Sequence, residues 1–114
     1  MARVVMLLAS APGAPAGNLN YRLELTANLT KQAALDEAAY GAGAWQAVRI
    51  LPDGSRRPAE LERIDDGWAL QGPAGEDSAL WDFEGRVFRP GEYVTVRRAG
   101  GEEFVFRIVE VEPD

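Results

Sequence analysis

Apolar and polar positions alternate most regularly in the last quarter of the chain. Val94 and Val96 fall on one face and Tyr93 and Thr95 on the other. After a turn at Ala99-Gly100-Gly101, Phe104, Phe106 and Ile108 line one face, and Val105, Val109 and Val111 the opposite one. The pattern predicts a β-hairpin. Its second strand, apolar on both faces, is expected to be the most central strand, covered on both sides.

Upstream, Tyr21–Thr26 alternates at period two, which predicts a strand with Leu23 and Leu25 facing inward. Residues 44–51 and 57–64 read as two further strands. Pro52-Asp53-Gly54-Ser55 joins them, with proline presetting φ and glycine supplying a positive φ. Pro58 has no N–H, so the second of these strands is expected to begin after it or to lie at an edge. Asp65-Asp66-Gly67 is a second tight turn, leading into Trp68–Gln71 and completing a three-stranded meander. Thr30 reads as the N-cap of a short helix over Lys31–Tyr40, closed by Gly41 and Gly43. The same Thr30 completes an Asn28-Leu29-Thr30 glycosylation sequon, and the cap accounts for it. Gly72–Glu76 reads as a loop. Ser78–Glu84 reads as one helical turn that clusters Leu80, Trp81 and Phe83.

Residues 1–19 differ in character. The apolar run Val4–Ala9 precedes Ser10-Ala-Pro-Gly-Ala-Pro-Ala-Gly17, so the segment is expected to be a flexible leader. The run is far shorter than the ~18 apolar residues of a membrane span. With Arg3 ahead of it and small residues after it, the run also has the outline of a weak secretory signal. The cytoplasm is the expected compartment, with export through that signal the alternative. Together the elements predict an α+β domain over residues 20–114, mostly antiparallel β. Its expected form is a strongly bent sheet or partly open barrel of about six strands with one short helix, which resembles small barrels of the SH3-like kind.

Composition narrows the chemistry. At 114 residues the chain has the length of one domain. It has no cysteine and no histidine, which excludes disulfides, thiolate metal sites, a cysteine nucleophile and the commonest general base and metal ligand. No catalytic residue, metal or cofactor is predicted. The net charge of −6 disfavours nucleic acid, whose affinity comes from Lys and Arg displacing counterions. Basic residues are almost all arginine, with Lys31 the exception, and Ala and Gly are abundant; this skew fits a GC-rich bacterial genome.

Three groups of residues could carry function. Asp65-Asp66 could hold a hard cation, but Asp-Gly is a standard turn pair and adjacent strand residues point oppositely. The arginines Arg56, Arg57, Arg86, Arg89, Arg97 and Arg98 flank strand ends. They form either an anion site, if those ends converge, or a solvated charge lattice with neighbouring glutamates. Arg107, mid-strand among valines, must snorkel, find a carboxylate or point into an interface. The aromatics Trp45, Trp68, Trp81, Phe83, Phe88 and Tyr93 could floor a groove or pack the core, and Trp81 is expected to be partly exposed. Gly41-Ala-Gly43 and Gly72-Pro-Ala-Gly75 lack the strand–loop–helix context of a phosphate loop. The binding candidates are therefore Trp81, Arg86, Arg89, Arg97, Arg98 and Arg107. The expected function is a non-enzymatic protein-binding or assembly module of a bacterial or phage-like system, engaging another protein or a second copy. The alternative is a small-molecule or anion-binding domain using the clustered arginines and Trp81.

Overall fold

The computed structural model describes residues 1–41, 45–65, 67–72, 80–98 and 100–113. It is a closed barrel of eight antiparallel strands: β1 (Ala2–Ser10), β2 (Asn18–Ala27), β3 (Trp45–Ile50), β4 (Arg56–Ile64), β5 (Gly67–Gln71), β6 (Leu80–Glu84), β7 (Tyr93–Arg97) and β8 (Glu103–Glu112). Each strand pairs with its neighbour in sequence, and β8 returns to pair with β1. Closure leaves no sheet edge. The expected α+β class and partly open six-stranded sheet are therefore incorrect: the domain is all-β. No helix among the described residues is long and apolar enough to cross a membrane.

The largest difference concerns the expected leader. Ala2–Ser10 forms β1, the strand that closes the barrel between β2 and β8. Its even positions Val4, Met6 and Leu8 point inward and are buried, while Val5 is buried from the outer side. An apolar run without alternation is what a strand covered on both faces requires. The Pro/Gly stretch after it is a tight connection, with backbone hydrogen bonds exchanged between Ala11 and Ala14. Gly17 closes it at φ +78°, where a methyl group would run into the Leu8 carbonyl and come within 2.8 Å of the Ala9 carbonyl carbon.

The expected helix at 31–40 is also absent. Residues 28–36 double back on themselves: Leu29 bridges Leu35, and the Asp36 N–H donates to the Asn28 carbonyl at 2.9 Å. Thr30 does cap, its Oγ1 accepting from the Ala34 N–H at 3.2 Å, but it caps a turn. Only Glu37–Ala39 form a single 3-10 turn. A ten-residue helix is marginal by itself, and here burial of Leu35 in the barrel end outweighs helical propensity. The second expected helical turn is β6 from Leu80 onward; Ser78 and Ala79 lie outside the described residues.

The meander and the closing hairpin form as expected, with Leu23 and Leu25 inward. Asp66, Ala99 and most of the Gly72–Glu76 loop lie outside the described residues. Pro58 sits within β4 opposite Val48, so the strand does not begin after it, and among the described residues β4 pairs with β5 from Glu60 to Ile64. In a closed barrel β8 is no more central than any other strand. Its register with β1 slips between Val5 and Met6, whose partners are Glu110 and Ile108, leaving Val109 as the extra residue of a bulge. The slip turns Val111 inward against the core and leaves Val109 exposed, so Val105, Val109 and Val111 do not share a face.

An eight-stranded barrel is just wide enough for side chains to fill it. Val4, Leu23, Leu25, Leu61, Val94, Val96, Phe106 and Ile108 are at most 1% exposed. Small Ala47 and Ala59 alternate with Trp45, Leu61, Leu70 and Trp81 and make room for the two indoles. The interior is a packed core.

Candidate functional site

The up-and-down topology puts the β1–β2, β3–β4, β5–β6 and β7–β8 connections at one end of the barrel, and the other connections at the opposite end. Arg56 and Arg57 on β4 and Arg97 and Arg98 at the β7–β8 tip therefore share an end. Arg86 and Arg89, in the β6–β7 connection, lie at the other. The arginines do not all converge, but one end concentrates them.

Inside that end, Trp81 reaches inward from β6 and is only 5% exposed, which corrects the expectation that it is partly exposed. Its strand, unrecognised in the sequence, turns the ring into the barrel. Arg49, inward-facing near the end of β3, lies over the indole at 4.6 Å from the ring centroid, and Arg98 lies over it at 4.8 Å. Arg49 also donates to the Tyr21 hydroxyl at 3.4 Å. Tyr21 packs edge-on against Phe106 at 5.6 Å, and Phe104 packs on Trp81 at 5.5 Å. Arg57 stands directly opposite Arg49 in the β3–β4 register. The space beneath, lined by Arg49, Ala59, Leu70, Gly72 and Trp81, is about 10 Å3, too small for more than a single water. Guanidinium groups over an indole gain about 0.5 to 2 kcal/mol each from the ring quadrupole. Like charges set opposite each other across a ladder are unfavourable, and a carboxylate or phosphate laid over the end would offset that.

Arg49 was missed in the sequence because it reads as one polar residue in an apolar strand. The signal was its parity: with Trp45 and Ala47 inward, Arg49 must be inward too. Arg98 makes an ion pair with Glu102 at 3.6 Å, half exposed.

The remaining candidates are elsewhere. Arg97 faces outward and is held by Glu103, at 3.0 Å from Nε and 2.7 Å from Nη2, with Glu84 at 3.5 Å. The Glu103 hydrogen bond and charge raise its guanidinium further above its ordinary range. This is the charge lattice the composition suggested, repeated where Arg3 bridges Glu24 and Glu112 at 3.0 and 2.8 Å. Arg86 is exposed in a shallow groove of about 560 Å3 with Trp68, Glu84 and Tyr93 along its walls. Arg89 is exposed at a groove of about 520 Å3, between Asp36 and Pro90. Arg107 is exposed on the outer face of β8. Asp65 sits exposed in the β4–β5 turn, and Asp66 lies outside the described residues.

At the opposite end the chain is closed by apolar groups. Trp45 and Trp68 stack at 5.2 Å, and Tyr40 meets both edge-on. Phe88 stacks on Phe83 and donates its N–H to the Ala33 carbonyl at 2.7 Å. Arg63 lies over Trp68 and pairs with Glu37. No protein-family model, curated protein or solved structure matches the chain.

Proposed function

We propose that the chain is a non-enzymatic protein-binding module that takes a carboxylate-bearing segment of its partner at the arginine end of the barrel. One observation carries this reading: Arg49 and Arg98 both lie over Trp81 at an end that also holds Arg57, in a chain of net charge −6. The packed interior supports recognition at the surface instead of in an internal cavity. The overall negative charge does not prevent such binding, because charges are screened within about 8 Å at physiological salt and the local guanidinium groups dominate. Arginine offers a carboxylate two parallel N–H donors, which gives direction as well as charge.

The test is calorimetric titration with a short Glu-rich peptide and its Gln-substituted counterpart, with tryptophan fluorescence recorded in parallel. The Glu peptide should bind in a salt-dependent manner and the Gln peptide should not. Arg98→Ala should weaken binding about 10-fold, equivalent to about 1.4 kcal/mol. Absence of binding at 1 mM peptide would sink the reading. If inorganic phosphate competes at concentrations comparable to the peptide, the chain is instead an anion-binding domain, the second reading that the same arginines support.

A further inference from the structure

The outer face of β8 carries a mismatch of charge that a second copy of the chain would resolve. Arg107 stands in the middle of this strand, and its cross-strand neighbours are Leu7 on β1 and Tyr93 on β7. Along the strand it is flanked by Val105 and Val109. Among the described residues its side chain makes no hydrogen bond or ion pair. Three other outward-facing arginines of the sheet are matched: Arg3 to Glu24 and Glu112, Arg22 to Glu24, Arg97 to Glu103. Two of the large apolar side chains that the fold leaves exposed, Tyr93 at 57% and Val109 at 41%, border this one cation. The bulge is what puts Glu110 on this outer side as well, next to Val109.

Three residues further on, Glu110 has the opposite problem. Its carboxyl is hydrogen-bonded to Glu112 and repelled by it, which raises its pKa, while Arg3 and Arg22 act on it only from a distance. An unmatched cation and a crowded anion thus lie on one strand, about 10 Å apart at 3.3 Å per residue.

We infer that this stripe, Val105–Arg107–Val109 with Tyr93 and Leu7 beside it, is the interface of a two-fold symmetric homodimer. An axis passing next to Val109 sets Arg107 of each copy opposite Glu110 of the other and Val109 against its mate. A two-fold interface requires this self-complementarity, since residue i meets j and j meets i. Face-to-face packing is also the route open to a closed barrel, which has no edge strand to extend. The surface is separate from the arginine end, so both can operate together.

Light scattering coupled to size exclusion, from about 10 μM to 1 mM, tests the inference. The wild-type chain should approach twice the chain mass across this range. Arg107→Glu should remain monomeric at 1 mM, and the double exchange Arg107→Glu/Glu110→Arg should restore the dimer. Circular dichroism confirms that each variant is folded, and Val109→Lys serves as a second disruptive variant. Peptide binding at the arginine end should be unchanged in Arg107→Glu, so failure here and failure of the proposed function are distinguishable. A wild-type monomer at 1 mM, or a dimer indifferent to both Arg107→Glu and Val109→Lys, overturns the inference.

Discussion

The two ends of this barrel are built from the same strands but finished differently. One is sealed by Leu35, Phe88 and the stacked Trp45 and Trp68, with the chain folded back over them. The other carries Arg49, Arg57 and Arg98 around Trp81 and Tyr21. Apolar closure holds the barrel together, whereas exposed guanidinium groups at the other end add little to stability. Stability should therefore reside at the first end and recognition at the second.

Phe88→Ala tests the sealed end most severely. The ring is 1% exposed, and deleting it should cost about 3–5 kcal/mol, read as a lower midpoint in urea unfolding. A loss under about 1 kcal/mol would show that this end is not the stabilising one. Gly85→Ala probes the same plug more gently, because a methyl there would come within 2.7 Å of the Phe88 ring. At the arginine end, Gly17→Ala should cost about 1–3 kcal/mol through backbone strain at positive φ and collision with Leu8 and Ala9. It is the test of whether the β1–β2 connection is as fixed as its hydrogen bonds imply. Arg98→Ala should shift stability by no more than about 0.5 kcal/mol while weakening peptide binding, a split that Phe88→Ala cannot show.

The smallest effects concern pH, and two exposed carboxyls should act in opposite senses. Asp53 is held below its ordinary 3.8 by the hydroxyl and N–H of Ser55, at 2.6 and 2.8 Å. Its contribution is present above pH 3.8 and fades as pH falls through the lower folded value. Glu110 is held above its ordinary 4.5 by Glu112. Its contribution is complete below 4.5 and is lost as pH rises toward the higher folded value. In thermal melts from pH 3 to 7, Asp53→Asn should lose part of the acid-side destabilisation. Below the concentration at which copies pair, Glu110→Gln should gain relative to wild type toward neutral pH. Parallel melting curves for the two variants would contradict both assignments.

Much of the barrel was legible in the residues. The meander and the closing hairpin follow from alternation and turn chemistry, and the inward faces of Leu23, Leu25, Val94, Val96, Phe104 and Phe106 follow from parity. What was hidden has physical causes. A strand buried on both faces loses its alternation, so Val4–Ala9 looked like a leader. Leu80–Glu84 is short and follows a loop, so its period was ambiguous between helix and strand. The bulge at Val109 is invisible to any fixed period. Ala-rich 31–40 has helical propensity, but its fate depends on Leu35 packing into the distant barrel core. Of the candidate site, Arg97 and Arg98 could be placed at a tip, but their separation into a lattice member and a ring partner depended on the inward or outward face. Arg49 depended on knowing that β3 was inward at Trp45.

The pairing of β1 with β8 has a consequence for how the chain reaches this structure. Arg3 and Glu112 are ion-paired at a sequence separation of 109, so the last ladder to zip joins segments far apart in the chain. Such a high contact order predicts folding on the millisecond-to-second scale instead of microseconds. During synthesis the apolar face of Ala2–Ser10 waits for its second neighbour until β8 has been translated. During that interval two sheet edges are open, and β1 is the segment most exposed to mispairing.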